Sequence, residues 1–211
     1  MRLVFLFCLL ALSCLANEEK LTKLKLFKLS SSNFIHALAY ASEDNFMRLD
    51  LYSNFKLKEC YLHEDLRERI NTLDQILQEN KLKIILYDCF RPNEVQKIAW
   101  QLIKDERFVA NPYKNGSNHS RGIALDLGLA DLNGKALKMP TEFDDFSQRA
   151  RSDFECKESE KEKCQNRELL KMIMQKAGFK GIKSEWWHFE ADFRGLSRQE
   201  LRQKYPLLEL R

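Results

Sequence analysis

Two stretches of this chain carry the residue types of a hydrolytic metal centre. They are Ser117-Asn-His-Ser-Arg-Gly-Ile-Ala-Leu-Asp126 and, further on, Glu185-Trp-Trp-His188. Together they supply two imidazoles and two carboxylates. A catalytic zinc site needs three protein ligands, a coordination position left for water, and a carboxylate that can take the water's proton. The chain has only 4 histidines, so finding His119 and His188 in such company is informative. No His-Glu-x-x-His helix is present, which excludes the commonest helical zinc-protease arrangement.

The spacing imposes conditions on the fold. On a straight strand His119 and Asp126 would lie more than about 20 Å apart, at about 3.3 Å per residue. They converge only if the chain turns between them, and Gly122 offers the place. Glu185 and His188 would point to opposite faces of a flat strand. Both reach one centre only if the strand begins late or bends near Trp186. The plainer alternatives are a loop histidine with a hydrogen-bonded strand carboxylate, and an edge strand with solvated polar ends. Arg91 follows an apolar run in Tyr87-Asp-Cys-Phe-Arg-Pro92. A guanidinium there can hold a carboxylate or steady a developing oxyanion, or it can pair with Asp88.

The elements that must position these groups are partly visible. Residues 62–77 place Leu62, Leu66, Ile70, Leu73 and Leu77 at helical intervals with charges between. Residues 83–87 read as a short strand. Pro92 then suits the first turn of a helix over residues 93–104. Ile123, Leu125, Leu127 and Leu129 alternate with Ala124, Asp126 and Gly128, the period of a strand with one greasy face and one small face bearing a carboxylate. Asn133-Gly134 predicts a hairpin partner from about Lys135. Residues 141–165 read as a long loop, 166–177 as a helix closed by Gly178, and 185–190 as a last strand. Helix and strand signals mix without the alternation of a doubly wound sheet, so the expected class is α+β.

With 211 residues, 44% of them hydrophobic and 31% charged, the chain suits one globular domain. The net charge of +4 is spread along the sequence, so nothing marks a nucleic-acid partner. Residues 1–16 have the layout of a secretory signal peptide, with a basic start, an apolar run and small residues before Asn17. Residues 17–211 are then the mature domain, exported to a bacterial periplasm. A lipoprotein processing site at Cys14 is the lesser alternative. Four cysteines remain after cleavage. Cys156 and Cys164 bracket a polar segment with little else to hold it and are expected to pair, leaving Cys60 for Cys89.

The combination Ser117-x-His119-x-x-Gly122-x-Ala124-x-Asp126, Glu185-Trp-Trp-His188 and Asp88-x-Phe90-Arg91-Pro92 resembles the VanX-type D-Ala-D-Ala dipeptidases. These belong to a wider group of zinc peptidases that includes D,D-carboxypeptidases and the hedgehog-like fold. The segment from Tyr40 to Phe46, Phe143-Asp144 and Asn166-Arg167 extend the likeness over most of the chain. The resemblance implies a small, mostly antiparallel sheet with flanking helices around a zinc cleft, and one Zn2+ per chain. It assigns His119, Asp126 and His188 to the metal and makes Glu185 the general base. Arg91 would polarise the scissile carbonyl and Asp144 hold the substrate's ammonium, with Ser117 and Tyr40 lining the pocket. The substrate would be D-Ala-D-Ala, or a close D-amino dipeptide, hydrolysed to free D-alanine. Such dipeptidases are often cytoplasmic, whereas the signal layout here points to export and hence to cell-wall fragments. Two other readings share these residues: a zinc D,D- or L,D-carboxypeptidase trimming peptidoglycan stem peptides, and a non-catalytic wall-binding module braced by zinc.

Overall fold

The computed structural model describes residues 17–211; the expected signal peptide, 1–16, lies outside them. The architecture is α+β. The described part of α1 covers residues 17–23. It is followed by β1 (Leu26–Lys28), β2 (Phe34–His36), β3 (Tyr61–His63), α2 (Arg67–Asn80), β4 (Lys83–Asp88) and α3 (Asn93–Leu102). Then come β5 (Ala124–Ala130), α4 (Lys161–Lys176), β6 (Phe179–Gly181), β7 (His188–Ala191) and α5 (Arg198–Lys204). Strands β1 and β3 form a small antiparallel pair, and a 5-stranded sheet runs in the order β2-β4-β5-β7-β6. Only its β2–β4 pair is parallel.

Strand β5 is the spine of this sheet, buried along its whole length between β4 and β7. Its leucines face α2 and α4, joining Leu73, Leu77, Leu170 and Ile173 in one apolar cluster. Burying each such side chain contributes roughly 2 kcal/mol. The opposite face of β5 carries Ala124, Asp126 and Gly128 toward a cleft, as period-2 geometry demands. A second apolar cluster gathers Tyr40, Tyr52, Phe55, Phe90, Val95 and Ala99.

Several boundaries differ from those the sequence suggests. The helical pattern from residue 62 starts as strand β3, and α2 begins only at Arg67. Leu62 and Leu66 are fully buried all the same, so the apolar spacing reported burial rather than helix. The turn at Asn133-Gly134 forms, with Asp131 accepting from the backbone of Asn133 and Lys135. Its return strand shrinks to one bridge, Ala130 to Ala136. The reason is topological: β7 occupies the rest of that edge of β5. Helix α4 starts at Lys161, inside the expected loop. The disulfides are Cys60–Cys89 and Cys156–Cys164, the pairing expected. Strands β1, β2 and β6, each 3 residues long, carried no usable sequence signal; helix α5, of 7 residues, was missed although Ser197-x-x-Glu200 marks its start.

Candidate metal centre and active site

Sheet register sets the first row of the site. Asp88 pairs with Asp126 across β4 and β5 beyond a bulge after Leu86, and Asp126 pairs with His188 across β5 and β7. Three acid–base side chains thus stand side by side on the cleft face. Residues 186 and 187 form a bend, so β7 begins at His188. This is the late start that allows Glu185 and His188 to line one cleft.

His119 arrives from the other direction. It opens a single 3-10 turn, His119–Arg121, that ends at Gly122 with φ +67°. A Cβ at Gly122 would lie 2.7 Å from the Leu26 side chain and 3.1 Å from the His63 backbone nitrogen. Glycine is therefore required both by conformation and by space. The turn folds His119 back over Asp126. The Nδ1 of His119 lies 2.8 Å from the Cys89 carbonyl oxygen, to which it donates. That fixes the tautomer and leaves Nε2 as a lone-pair donor, 3.1 Å from His188 Nδ1 and 3.3 Å from Asp126 Oδ2. His188 Nδ1 is 2.9 Å from Asp126 Oδ1.

Ligand atoms of His119, Asp126 and His188 all fall within 4.8 Å of one another, and all three residues are buried. Glu185 is not part of this convergence. Two imidazole nitrogens and one carboxylate oxygen form a donor set that suits zinc. The electrostatics agree with a cation at their centre. Burial alone would raise Asp126, yet the two histidines hold it well below the usual carboxylate range. Burial would lower His188, but hydrogen bonds to Asp126 and Glu190 push it up to about 10. Without a metal the cluster thus keeps a proton on His188, which a bound cation would displace.

A carboxylate unseen at the level of sequence backs His188. Glu190 Oε1 is 3.5 Å from His188 Nε2 and accepts from Asn118 Nδ2 at 2.7 Å. It stands two residues beyond His188 on the same strand face, the one signal that could have revealed it. Metal-ligating histidines are commonly oriented by such a partner.

Arg91 both lines the cleft and pairs with Asp88. Its Nε and Nη2 donate to Asp88 Oδ2 at 2.9 and 2.5 Å, and Nη1 donates to Gln96 Oε1 at 3.0 Å. Asp88, fully buried, also accepts from Tyr52 at 2.5 Å. The guanidinium is therefore positioned rather than neutralised away from the site, and it sits 4.8 Å from the Tyr40 ring centroid. Gln96 and Tyr52 gave no sign of this role in the sequence.

Tyr40 donates to Asp144 Oδ2 at 2.9 Å. Asp144 has φ +60°, a strained conformation for a residue with a side chain. Burial, and then the charge of Asp126, pushes its carboxyl up to about 8. A buried acid in this condition favours an incoming cation. Phe143 seats it, stacked on Tyr87 at 4.8 Å and edge-on to Trp187 at 5.4 Å. Glu185 is likewise raised by burial, partly countered by His188. Ser117 completes the lining, and its Oγ accepts from the His119 backbone N–H at 3.2 Å. All eight residues singled out from sequence border one cavity of about 620 Å³.

Residues 24–206 match the family described as D-ala-D-ala dipeptidase. The D-alanyl-D-alanine dipeptidase of Escherichia coli K12 is 37% identical over 153 residues, covering 72% of this chain and 76% of that protein. The enzyme of the same name from Enterococcus faecium is 27% identical over 173 residues, covering 71% and 82%. A Zn(II) complex of a vancomycin-resistance D,D-pentapeptidase variant aligns over 72% of this chain and 82% of that one, with 14% identity and a TM-score of 0.41. The chain belongs to the D-Ala-D-Ala dipeptidase family of metallopeptidases.

Proposed function

We propose that this protein is a zinc dipeptidase that hydrolyses D-Ala-D-Ala, or a close D-amino dipeptide, to free amino acids. The observation that carries the reading is the division of labour in the cleft. Three ligands converge, while a fourth side chain, the carboxylate of Glu185, lines the same cavity without joining them. A structural brace would be closed by a fourth protein ligand.

His119, Asp126 and His188 would hold one zinc ion, which supplies Lewis acidity and brings the pKa of a bound water toward about 7. Glu185 takes the proton of the attacking water and returns it to the leaving amine; its raised affinity for protons suits both tasks. Arg91, fixed by Asp88 and Gln96, faces the negative charge that grows on the scissile oxygen. Asp144, with Tyr40 beside it, receives the substrate's ammonium. Ser117 borders the small pocket between them.

We also propose that the enzyme works outside the cytoplasm as the single domain 17–211, released by cleavage after residue 16. Its substrate pool would be peptidoglycan fragments. The apolar run of residues 1–16 and the two disulfides support this reading. Among the described residues no helix is long and apolar enough to cross a membrane.

The test compares D-Ala-D-Ala with a stem pentapeptide, each with and without a chelator. Chelator-sensitive release of D-alanine from the dipeptide alone is expected. Cleavage of the pentapeptide instead would make the protein a carboxypeptidase, and no cleavage of either would leave the non-catalytic module. The Glu185→Gln protein should lose about 10²–10⁴-fold in kcat while retaining zinc by elemental analysis.

A further inference from the structure

The cleft is larger than its reaction requires. Its volume of about 620 Å³ is that of pockets for drug-sized ligands, and alanyl-alanine fills only a part of it. The lining crosses the sheet. Tyr40 follows β2 at one edge, Asp126 and His188 lie on the central strands, and Lys180 lies on β6 at the other edge. On this last side the lining continues with Arg198 and Arg202 from α5, the helix that follows β7.

These two arginines are four positions apart and so share a face of α5. Like charges at that spacing repel. Among the described residues neither has a hydrogen-bond or ion-pair partner. The acid closest to them on the helix, Glu200, is engaged in a capping box with Ser197. Arg202 also faces the like charge of Arg121, whose guanidinium donates to the carbonyls of Tyr205 and Asn115. Lys180, by contrast, is matched: it lies 3.9 Å from Asp192 and opposite Glu190 across β6 and β7, where its charge helps hold the Glu190 carboxyl low. Elsewhere on the rim the charges are matched, Glu106 with Lys114 and Arg107 with Asp105.

The cleft is therefore polar along its length, with the buried carboxyl of Asp144 toward one side and the unpaired Arg198 and Arg202 at the other. A dipeptide whose ammonium meets Asp144 directs its C-terminal residue toward the cations. We propose that Arg198 and Arg202 form a subsite for an acidic side chain on the leaving residue, extending the substrate class to D-amino dipeptides with an acidic C-terminal residue. The proposal rests on the dipeptidase reading for the direction in which the substrate lies.

Calorimetry on the zinc-loaded Glu185→Gln protein, which binds without cleaving, tests the subsite separately from turnover. The ligands are D-Ala-D-Glu, its neutral isostere D-Ala-D-Gln, and the reversed isomer D-Glu-D-Ala. D-Ala-D-Glu should bind about five- to tenfold more tightly than D-Ala-D-Gln at low salt, with the advantage shrinking as salt is raised. D-Glu-D-Ala should show no such gain. Adding Arg198→Gln and Arg202→Gln should bring the two affinities together. Equal affinities at the outset, or a preference that survives the double substitution, overturns the subsite. Failure of the native protein to cut D-Ala-D-Ala would count against the dipeptidase reading and leave this comparison standing.

Discussion

The ring of His119 is tied to the backbone carbonyl of Cys89 by a 2.8 Å hydrogen bond, and Cys89 is itself bonded to Cys60. The disulfide therefore anchors the exit of β4, which bears Asp88, the Cys89 carbonyl that accepts from His119, and Arg91. Replacing Cys60 and Cys89 by alanine should cost about 3.6 kcal/mol of stability, the chain-entropy worth of closing a loop with a sequence separation of 29. Zinc affinity should fall as well, because the His119 tautomer is then less firmly set. Urea unfolding and a chelator-competition titration read the two effects. A variant with unchanged zinc affinity would show that the carbonyl stays in place without the bridge.

Glu190 offers a cleaner test of ligand orientation, since it touches the metal only through His188. Glu190→Gln keeps size and a possible acceptor but removes the charge behind Nε2. Zinc affinity should drop about 10–100-fold. The apparent pH at which zinc binds should shift too, because the loss of Glu190 makes His188 easier to deprotonate. Titration against a chromogenic chelator at several pH values would detect both; a protein indistinguishable from native would remove Glu190 from the site.

Gly128 governs substrate binding at second hand. A Cβ there would fall 2.8 Å from the Tyr87 hydroxyl oxygen, so Gly128→Ala must push the phenol aside. Tyr87 is the ring on which Phe143 stacks, and Phe143 precedes Asp144. The expected result is a higher KM for D-Ala-D-Ala, by up to about 100-fold for a displacement of an ångström, at unchanged zinc content. An unaltered KM would mean that Asp144 keeps its place independently of the stack.

Protons act on the fold at His36, far from the metal ligands in sequence. Its Nδ1 accepts from the Cys60 backbone N–H at 2.9 Å while Nε2 donates to the Leu29 carbonyl at 3.0 Å. A second proton has no acceptor at Nδ1. Burial, reinforced by Lys28 and opposed by the Leu29 bond and Glu59, lowers its pKa below 6.5. The unfolded chain therefore binds more protons than the folded one below about pH 6.5. Stability should be full above that value and decline as pH falls through it. His63, also lowered by burial, acts in the same sense. Urea midpoints at pH 7.5 and pH 5 should differ less in His36→Gln than in the native protein.

Much of the site was legible because residue type and short spacing carry it. His119, Gly122, Asp126, Glu185 and His188 declare their chemistry locally, and the two geometric conditions they impose, a turn at Gly122 and a late β7, are both met. What sequence did not reveal depends on register and long-range packing. Glu190 matters because β7 alternates, Tyr52 because β4 carries Asp88 to it, and Gln96 because α3 turns it toward Arg91. The fold was read well where apolar periods were long and unbroken, as in α3, β4 and β5. It was read poorly where 3-residue strands owe their existence to a neighbour's free edge.

The row of Asp88, Asp126 and His188 across three adjoining strands also restricts how such a protein can change over generations. Adding or deleting one residue within β5 or β7 inverts the alternation, presenting Phe189 or Leu125 to the cleft and sending the metal-facing groups into the helices. Length variation should thus be confined to the connections, such as residues 131–160, while these two strands hold their residue count.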